Sequence, residues 1–231
     1  MTGELDERSG IVHRQHPGLS ALLQRHLPFA RAQCQSLPSD PELSLYLLNP
    51  DFPQHALTAE QMDAVLNYPA YWAFCWASGQ VLARFLREQP QWVRGRRVLD
   101  FGSGSGVAGI AAARLGAAEV VACDIDVDAL AATAANAELN GVAVALEDDF
   151  ERCRGHFDVI LVADVLYDRD NLPWLDRLAD RATEVLVADS RIRDFSHPRY
   201  HKLGEWESNT LPDLDESPEF RRVSIYSTLP A

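Results

Sequence analysis

Residues 96–109 read Arg-Arg-Val-Leu-Asp-Phe-Gly-Ser-Gly-Ser-Gly-Val-Ala-Gly, and they are the most informative segment of the 231-residue chain. A short apolar run ends at Asp100. Glycine then occupies every second position (Gly102, Gly104 and Gly106), and small residues in a helical pattern follow. Glycine has no Cβ and tolerates positive φ, so such a turn lets the backbone approach a ligand closely. The segment therefore predicts a strand, a tight turn and a helix whose first N–H groups are unpaired.

Two classes of nucleoside cofactor are bound by a turn of this kind. Residues 104–109 match the Gly-x-Gly-x-x-Gly pattern of dinucleotide sites, whereas residues 100–106 match the acid and Gly-x-Gly-x-Gly of S-adenosylmethionine sites. Asp100 distinguishes these two classes of cofactor. A carboxylate repels a pyrophosphate but attracts the amino group and the sulfonium of S-adenosylmethionine. We therefore predict S-adenosyl-L-methionine as the cofactor, bound at Asp100 and at the three alternating glycines.

Asp124 ends the next apolar run, Ala118–Cys123, about 20 residues after the glycine turn. An acid at the end of the second strand binds ribose hydroxyls in nucleoside sites. Asp124 is therefore predicted to bind the cofactor, although NAD and S-adenosylmethionine would need it equally. The alternative is a cap on the following helix, a role that Asp126 or Asp128 fits better.

The segment Glu147-Asp148-Asp149-Phe150 follows a third predicted strand, Val142–Leu146. Asp149 there can accept a hydrogen bond from the adenine amino group, and Phe150 can pack on the adenine ring. We therefore assign both residues to the cofactor site. The alternative interpretation is an acidic loop in solvent.

A fourth run, Phe157–Ala163, is apolar enough for a buried central strand and ends in Asp164-Val165-Leu166-Tyr167. Methyltransferases of base amino groups carry Asn/Asp-Pro-Pro-Tyr at this place, and the missing prolines argue against a nucleobase substrate. A carboxylate with an aromatic ring three residues later can hold an amine, so Asp164 and Tyr167 are the predicted catalytic residues. The alternative is that Asp164 caps a turn and Tyr167 packs in the core.

Strand and helix patterns alternate from Arg97 onward, which implies a parallel sheet with helices on both faces. His201–Glu207 and Phe220–Thr228 predict an antiparallel pair at the end. The predicted fold class is α/β, a doubly wound, Rossmann-like sheet, and this order of elements resembles the architecture of class I methyltransferases. Residues 67–231 are the predicted methyltransferase domain, and residues 1–66 an extension that covers the substrate side. Before Arg97 we predict helices over Leu19–Leu27, Glu60–Asn67 and Ala70–Glu88 and a strand over Glu42–Leu48.

The formal net charge of −13 argues against a nucleic-acid partner and suits a cationic or lysine-bearing partner. The alternative is that the acidity only aids solubility. The chain has no long apolar run and no apolar signal core near its start, so we expect no membrane partner and a cytoplasmic location. The four cysteines are scattered along the sequence. The histidine pairs His13/His16 and His197/His201 lack acidic or cysteine support for a metal site. Neither a disulfide framework nor a metal site is predicted.

Four segments carry a resemblance to a known family: residues 69–80 (Pro-Ala-Tyr-Trp-Ala-Phe-Cys-Trp-Ala-Ser-Gly-Gln), residues 98–106, Ala122–Asp126 and Asp164–Tyr167. Together they resemble the electron transfer flavoprotein β-subunit lysine methyltransferases, whose bacterial members are often labelled predicted nicotinamide N-methyltransferases. The glycine motif alone indicates only the class I fold. The tryptophan-rich segment combined with Asp-x-x-Tyr is more specific.

The resemblance implies a protein-lysine N-methyltransferase that transfers a methyl group from S-adenosylmethionine to a lysine ε-amine. It implies that Trp76 and the Ser78–Gln80 turn border the methionine part of the cofactor and that Ile125 belongs to the cofactor site. It also implies that Asp164 and Tyr167 border the target amine. Our hypothesis from the chemistry of the carboxylate is that Asp164 docks the ammonium and orients the neutral amine.

The resemblance weakens at the end of the fifth strand. The family usually has Gly-Asp-Pro-Gly-Arg there, whereas residues 188–193 of this chain read Ala-Asp-Ser-Arg-Ile-Arg. Two alternatives therefore stand beside the protein-lysine methyltransferase. One is a small-molecule amine or nicotinamide-type N-methyltransferase. The other is a non-catalytic protein that binds S-adenosylmethionine and acts by partner contact, against which the intact Asp164 and Tyr167 argue.

Overall fold

A computed structural model describes residues 3–5, 12–53, 58, 69–166, 169–192, 195–213 and 217–228. The strands are β1 (Gly3–Leu5), β2 (Val12–Arg14), β3 (Ala32–Leu37), β4 (Asp40–Leu48), β5 (Arg97–Phe101), β6 (Glu119–Cys123), β7 (Ala145–Glu147), β8 (Phe157–Ala163), β9 (Ala182–Asp189), β10 (His201–Glu207) and β11 (Arg222–Ser227). The α-helices are α1 (Pro17–Leu23), α2 (Ala77–Glu88), α3 (Val107–Arg114), α4 (Val127–Leu139) and α5 (Trp174–Arg181).

The central sheet has seven strands in the order β10-β11-β9-β8-β5-β6-β7. Strands β5 to β9 pair in parallel, and β11 pairs antiparallel with both β9 and β10. The predicted fold class, a mostly parallel α/β sheet with an antiparallel C-terminal end, is confirmed. In such a sheet the carboxyl ends of the parallel strands meet at one edge, where ligands bind.

Apolar side chains cover both faces of the sheet. On one face Leu99 and Ile160 pack with Leu175 and Leu178 of α5. On the other face the alternate strand residues pack against α2 and α3, for example Val159 in one cluster with residues of both helices. Burial on both faces explains why the strands read as nearly continuous apolar runs.

The β3–β4 ribbon packs on α4 through small side chains and two asparagines. Alanines of α4 lie in one apolar cluster with Tyr46 of β4. The Asn136 side chain accepts the Tyr46 N–H (2.7 Å), and the Asn140 side chain both accepts from and donates to the Ser44 backbone (3.1 and 2.7 Å). The ribbon is therefore attached to the helix that follows β6. The predicted boundary between residues 66 and 67 lies outside the described residues.

The predicted helix over Ala70–Glu88 is wrong in its first half. Tyr71–Ala73 forms one 3-10 turn, Trp76 is the N-cap, and the α-helix begins at Ala77. A long-range pairing explains why the α-helix begins late. Cys75 exchanges backbone hydrogen bonds of 2.7 and 2.9 Å with Leu211, and the chain is extended at this position. Strand β3 was not predicted from its mixed sequence. The helix predicted over Glu60–Asn67 lies outside the described residues.

The four cysteines are free thiols, and Cys75 and Cys123 are buried among apolar residues. Among the residues described, no group of three or more His, Cys, Asp or Glu side chains could hold a metal ion. Within the same ranges, no helix has the length and apolar character needed to cross a membrane.

Candidate active site

The glycine turn between β5 and α3 has the conformation that its sequence predicts. Gly102, Gly104 and Gly106 have φ values of +69°, +52° and +79°, a region that side chains rarely adopt. A Cβ on Gly106 would lie 2.9 Å from the Thr133 side chain, whereas a Cβ on Gly104 would meet nothing within 4 Å. The space over Gly104 is thus open, as the approach of a ligand to the backbone requires.

Helix α4 holds this turn from behind. Thr133 donates its hydroxyl hydrogen to the Gly104 carbonyl (3.2 Å), and the Asn136 amide donates to the Ser105 carbonyl (2.9 Å). Both side chains are buried. Because Asn136 also accepts the Tyr46 N–H, one side chain links the cofactor turn to the N-terminal ribbon. These two positioning residues were not predicted, since nothing in the local sequence separates them from other helix residues.

Asp100 lies under the turn. Its side chain is 2% exposed, and its Oδ2 accepts the Gly109 N–H of α3 at 2.8 Å. Burial raises the pKa of Asp100 to about 7, against the lowering effect of that hydrogen bond. The carboxyl group thus braces the start of α3 against β5. Its contact with the cofactor amino group stays a prediction.

The buried Asp100 carboxyl predicts a pH-dependent stability. Its folded pKa of about 7 lies above the ordinary value of 3.8, so between these values the folded chain binds more protons and stability falls as pH rises. Asp100→Asn removes the ionisation but keeps an oxygen for the Gly109 N–H. We expect its stability relative to the wild type to increase between about pH 5 and about pH 8, measured by urea denaturation. A relative stability that does not change with pH would contradict the prediction.

Asp124 lies at the mouth of the turn. Its Oδ2 accepts the Gly104 N–H (2.8 Å) and its Oδ1 the Asp126 N–H (3.0 Å). Burial raises the pKa of Asp124. Asp126, not Asp124, caps α4 by accepting the Asp128 N–H at 2.9 Å. The capping alternative for Asp124 therefore loses its support, and the ribose-binding role stays a prediction that the position of the carboxylate favours.

Three further residues assigned to the cofactor site differ in their exposure. Ile125, next to Asp124, is 91% exposed, and its contact with the cofactor stays a prediction. Asp149 accepts the Glu151 N–H at 2.9 Å and begins a 3-10 turn. Phe150 is 5% exposed and packs edge-on against Phe101 and Trp174. Its ring belongs to the core, and its packing on adenine stays a prediction.

Asp164 lies at the end of β8, and its side chain contacts the start of α2 and the residue that follows β9. Its Oδ1 accepts the Ser78 hydroxyl (2.6 Å) and the Ser190 hydroxyl (2.9 Å), and its Oδ2 accepts the Ser78 N–H (3.2 Å). Asp164 has φ +52°, a strained value for a residue other than glycine and one that is common at functional sites. Burial raises the pKa of Asp164, and the hydrogen bonds from Ser78 and Ser190 oppose this shift. The side chain thus caps α2 across the sheet edge.

Trp76 lies directly before this contact. Its indole N–H donates to the Tyr71 carbonyl (3.0 Å), and its ring contacts the rings of Tyr71 and Phe74. The Arg191 guanidinium lies 5.7 Å from the Trp76 ring centroid and 4.0 Å from that of Phe220. A group of aromatic rings therefore lies just before Ser78, the residue that donates to Asp164. Tyr167 lies outside the described residues.

The sequence alone did not identify Ser190, Asp189 or Arg191 as site residues. They occupy the segment at which the family pattern is interrupted: Asp189 keeps the acid of that pattern, and the departure after it was the available signal for Ser190 and Arg191. In the fold Asp189 ends β9, the neighbour of β8, and the hydroxyl of the following Ser190 reaches the Asp164 carboxylate.

The glycine turn, Asp124 and the open space over Gly104 fit a nucleoside cofactor. Comparison with known proteins agrees with this geometry. A family model described as ribosomal protein L11 methyltransferase (PrmA) matches residues 83–193. The ribosomal protein L11 methylase structure from Lactobacillus delbrueckii subsp. bulgaricus shares the fold at 23% identity and a TM-score of 0.50, and the match covers 65% of this chain and 77% of that one. The fold and the site define a class I methyltransferase.

Two curated relatives are more similar in sequence. The electron transfer flavoprotein β-subunit lysine methyltransferase of Mus musculus is 36% identical over 182 residues, which cover 75% of this chain and 70% of the mouse protein. That of Xenopus laevis is 36% identical over 206 residues, which cover 84% and 81%. The chain belongs to this family of methyltransferases. The predictions of an enzyme and of S-adenosylmethionine as its cofactor are confirmed.

Proposed function

We propose that this enzyme methylates the ε-amine of a lysine on a protein, and that the protein is the β-subunit of electron transfer flavoprotein. The substrate named for its relatives supports this choice. The observation that carries it is the Asp164 carboxylate, held at the end of β8 between Ser78 and Ser190 and beside Trp76. The net charge of −13 suits a lysine-bearing surface, and four free thiols suit a cytoplasmic location.

In this proposal Asp164 orients the target amine. Its Oδ1 accepts two hydroxyl donors, whereas its Oδ2 accepts only the Ser78 N–H among the described residues and can accept a second donor. An ammonium docked there lies beside Trp76, whose ring face attracts a cation. Tyr167, the other predicted catalytic residue, is proposed to contact the alkyl chain of the target lysine. The two predicted catalytic residues thus hold the nitrogen in line with the methyl group.

The lysine must lose a proton before it attacks, because its ordinary pKa is about 10.4. S-adenosylmethionine supplies an already activated methyl group, so the protein mainly aligns the two reactants and favours the neutral amine. An apolar channel lined by Trp76 lowers the pKa of an ammonium by desolvation. Residues 1–66 are proposed to cover the substrate side of this channel.

Labelling with S-adenosylmethionine tests this function. The purified enzyme is incubated with methyl-labelled cofactor and the electron transfer flavoprotein β-subunit of its own organism, and in parallel with a lysate split into protein and small-molecule fractions. We expect label on the β-subunit and a methyl-lysine in its peptides by mass spectrometry. Label confined to the small-molecule fraction would contradict the proposal and favour the small-amine alternative.

A further inference from the structure

Asp189, the last residue of β9, has a buried carboxylate oxygen that nothing in the described part of the chain satisfies. The residue is 2% exposed. Its Oδ1 accepts the N–H groups of Arg191 (2.8 Å) and Ile192 (2.7 Å), whereas its Oδ2 has no hydrogen-bond partner among the described residues. Leaving a buried acceptor unpaired is unfavourable, so such an atom needs an explanation.

This oxygen belongs to the same strand edge as Asp164. The Asp164 N–H donates to the carbonyl of Ala188 (3.1 Å), and Ser190 donates to the Asp164 carboxylate. Asp189 lies between these two contacts in the chain, so two carboxylates end the adjacent parallel strands β8 and β9. The substrate side of a class I sheet is formed by these strand ends.

The charges around Asp189 favour a group that takes up a proton. Burial, and next the charge of Asp164, raise the pKa of Asp189 to about 6, while the N–H groups of Ile192 and Arg191 and the Arg191 charge oppose the shift. Asp164 differs, because the Ser78 and Ser190 hydroxyls stabilise its ionised form. Among the described contacts, the Asp189 Oδ2 therefore has no donor, whereas each carboxylate oxygen of Asp164 has at least one.

We propose that Asp189 is a second carboxylate of the amine site and that its Oδ2 takes the proton from the target ammonium. This inference deepens the proposed function and rests on it for the identity of the amine. The N–H bond breaks as an O–H bond forms on Asp189. The lone pair of the nitrogen then forms the N–C bond to the donor methyl, and the C–S electron pair goes to sulfur. Asp189 finally releases one proton to water in each turnover.

Asp189→Asn tests this role, because the amide oxygen can still accept the Arg191 and Ile192 N–H groups while the second oxygen is lost. We expect kcat to fall about 100-fold, with the affinity for the cofactor product S-adenosylhomocysteine unchanged. The acid limb of kcat/KM, which should have an apparent pKa of about 6 in the wild type, should disappear. Removing a buried, unpaired charge should not lower the melting temperature at about pH 8.

Glu184→Gln is the matched control, since Glu184 is a buried carboxylate at the amino end of the same strand, paired with Arg96 at 2.9 Å. It should keep both kcat and the acid limb. A second readout needs no methyl transfer: n-butylammonium, a lysine side-chain mimic, is titrated calorimetrically into the complex with S-adenosylhomocysteine. Its affinity should fall about 10-fold in Asp189→Asn, and in the wild type it should fall below about pH 6.

The outcomes separate the two proposals. An active wild type and an equally active Asp189→Asn with the same acid limb would overturn the role of Asp189 and leave the function intact. A wild type that methylates no protein would overturn the proposed function alone. In that case the butylammonium titration decides: an affinity that depends on Asp189 supports the inference, and equal affinities refute it.

Discussion

Asp164→Asn is expected to lower the turnover number about 10²–10³-fold while cofactor binding persists. The substitution suits the backbone, because asparagine tolerates the positive φ of +52° better than most residues. The amide oxygen can accept the Ser78 and Ser190 hydroxyls, but the amide N–H₂ replaces the Oδ2 that faces the Ser78 N–H. The variant thus loses the negative charge and the acceptor that we assign to the target ammonium.

The measurement combines steady-state kinetics with calorimetric titration of S-adenosylhomocysteine. Asp158→Asn serves as the control, because Asp158 lies at the opposite end of β8 and accepts only the Arg97 N–H in the described contacts (2.8 Å). Ser190→Ala removes one donor to Asp164 and should cause a smaller loss, which separates the positioning of the carboxylate from its charge. A folded Asp164→Asn enzyme with turnover within about threefold of the wild type would contradict the catalytic role.

Gly106→Ala should abolish cofactor binding and destabilise the fold by about 2 kcal/mol, or about 4–8 °C in melting temperature. The added Cβ would lie 2.9 Å from the Thr133 methyl group and 3.2 Å from the Thr133 Cα, at a φ of +79°. The backbone of α4 cannot rotate away as a flexible side chain can. Thr133 also donates to the Gly104 carbonyl, so its displacement deforms the turn.

Gly104→Ala is the matched variant for this prediction. Its φ of +52° is strained for alanine, but its Cβ would meet no protein atom within 4 Å. We expect a stability loss of about 1 kcal/mol and a larger loss of affinity for S-adenosylhomocysteine, because the methyl group enters the space assigned to the ligand. Thermal melts and calorimetry measure the two effects. Wild-type affinity in Gly104→Ala would show that the cofactor does not lie over this glycine.

Much of the fold follows from local patterns in the sequence. The run Phe157–Ala163 is a strand with the predicted bounds, since six of its seven residues are apolar and it lies between polar residues. The glycine turn is also a local property, because three positive φ values require glycine at three alternating positions. The strand ends at Asp124 and Asp164 follow from the same pattern, and the parallel order of the sheet brings them to one edge.

The partners of those strand-end residues depend on contacts between distant parts of the chain. Ser78 reaches Asp164 across 86 residues, and the start of α2 depends on the pairing of Cys75 with Leu211. The same holds for Asp189, which is buried by the packing around β9 and whose Oδ2 has no hydrogen-bond partner in the described part of the chain. Periodicity and turn chemistry act within a few residues and therefore determined the elements and the cofactor turn. The tertiary structure alone decided which carboxylates are buried, which donors they meet and which carboxylate oxygen has no donor among the described residues. These properties depend on distances that no local pattern encodes.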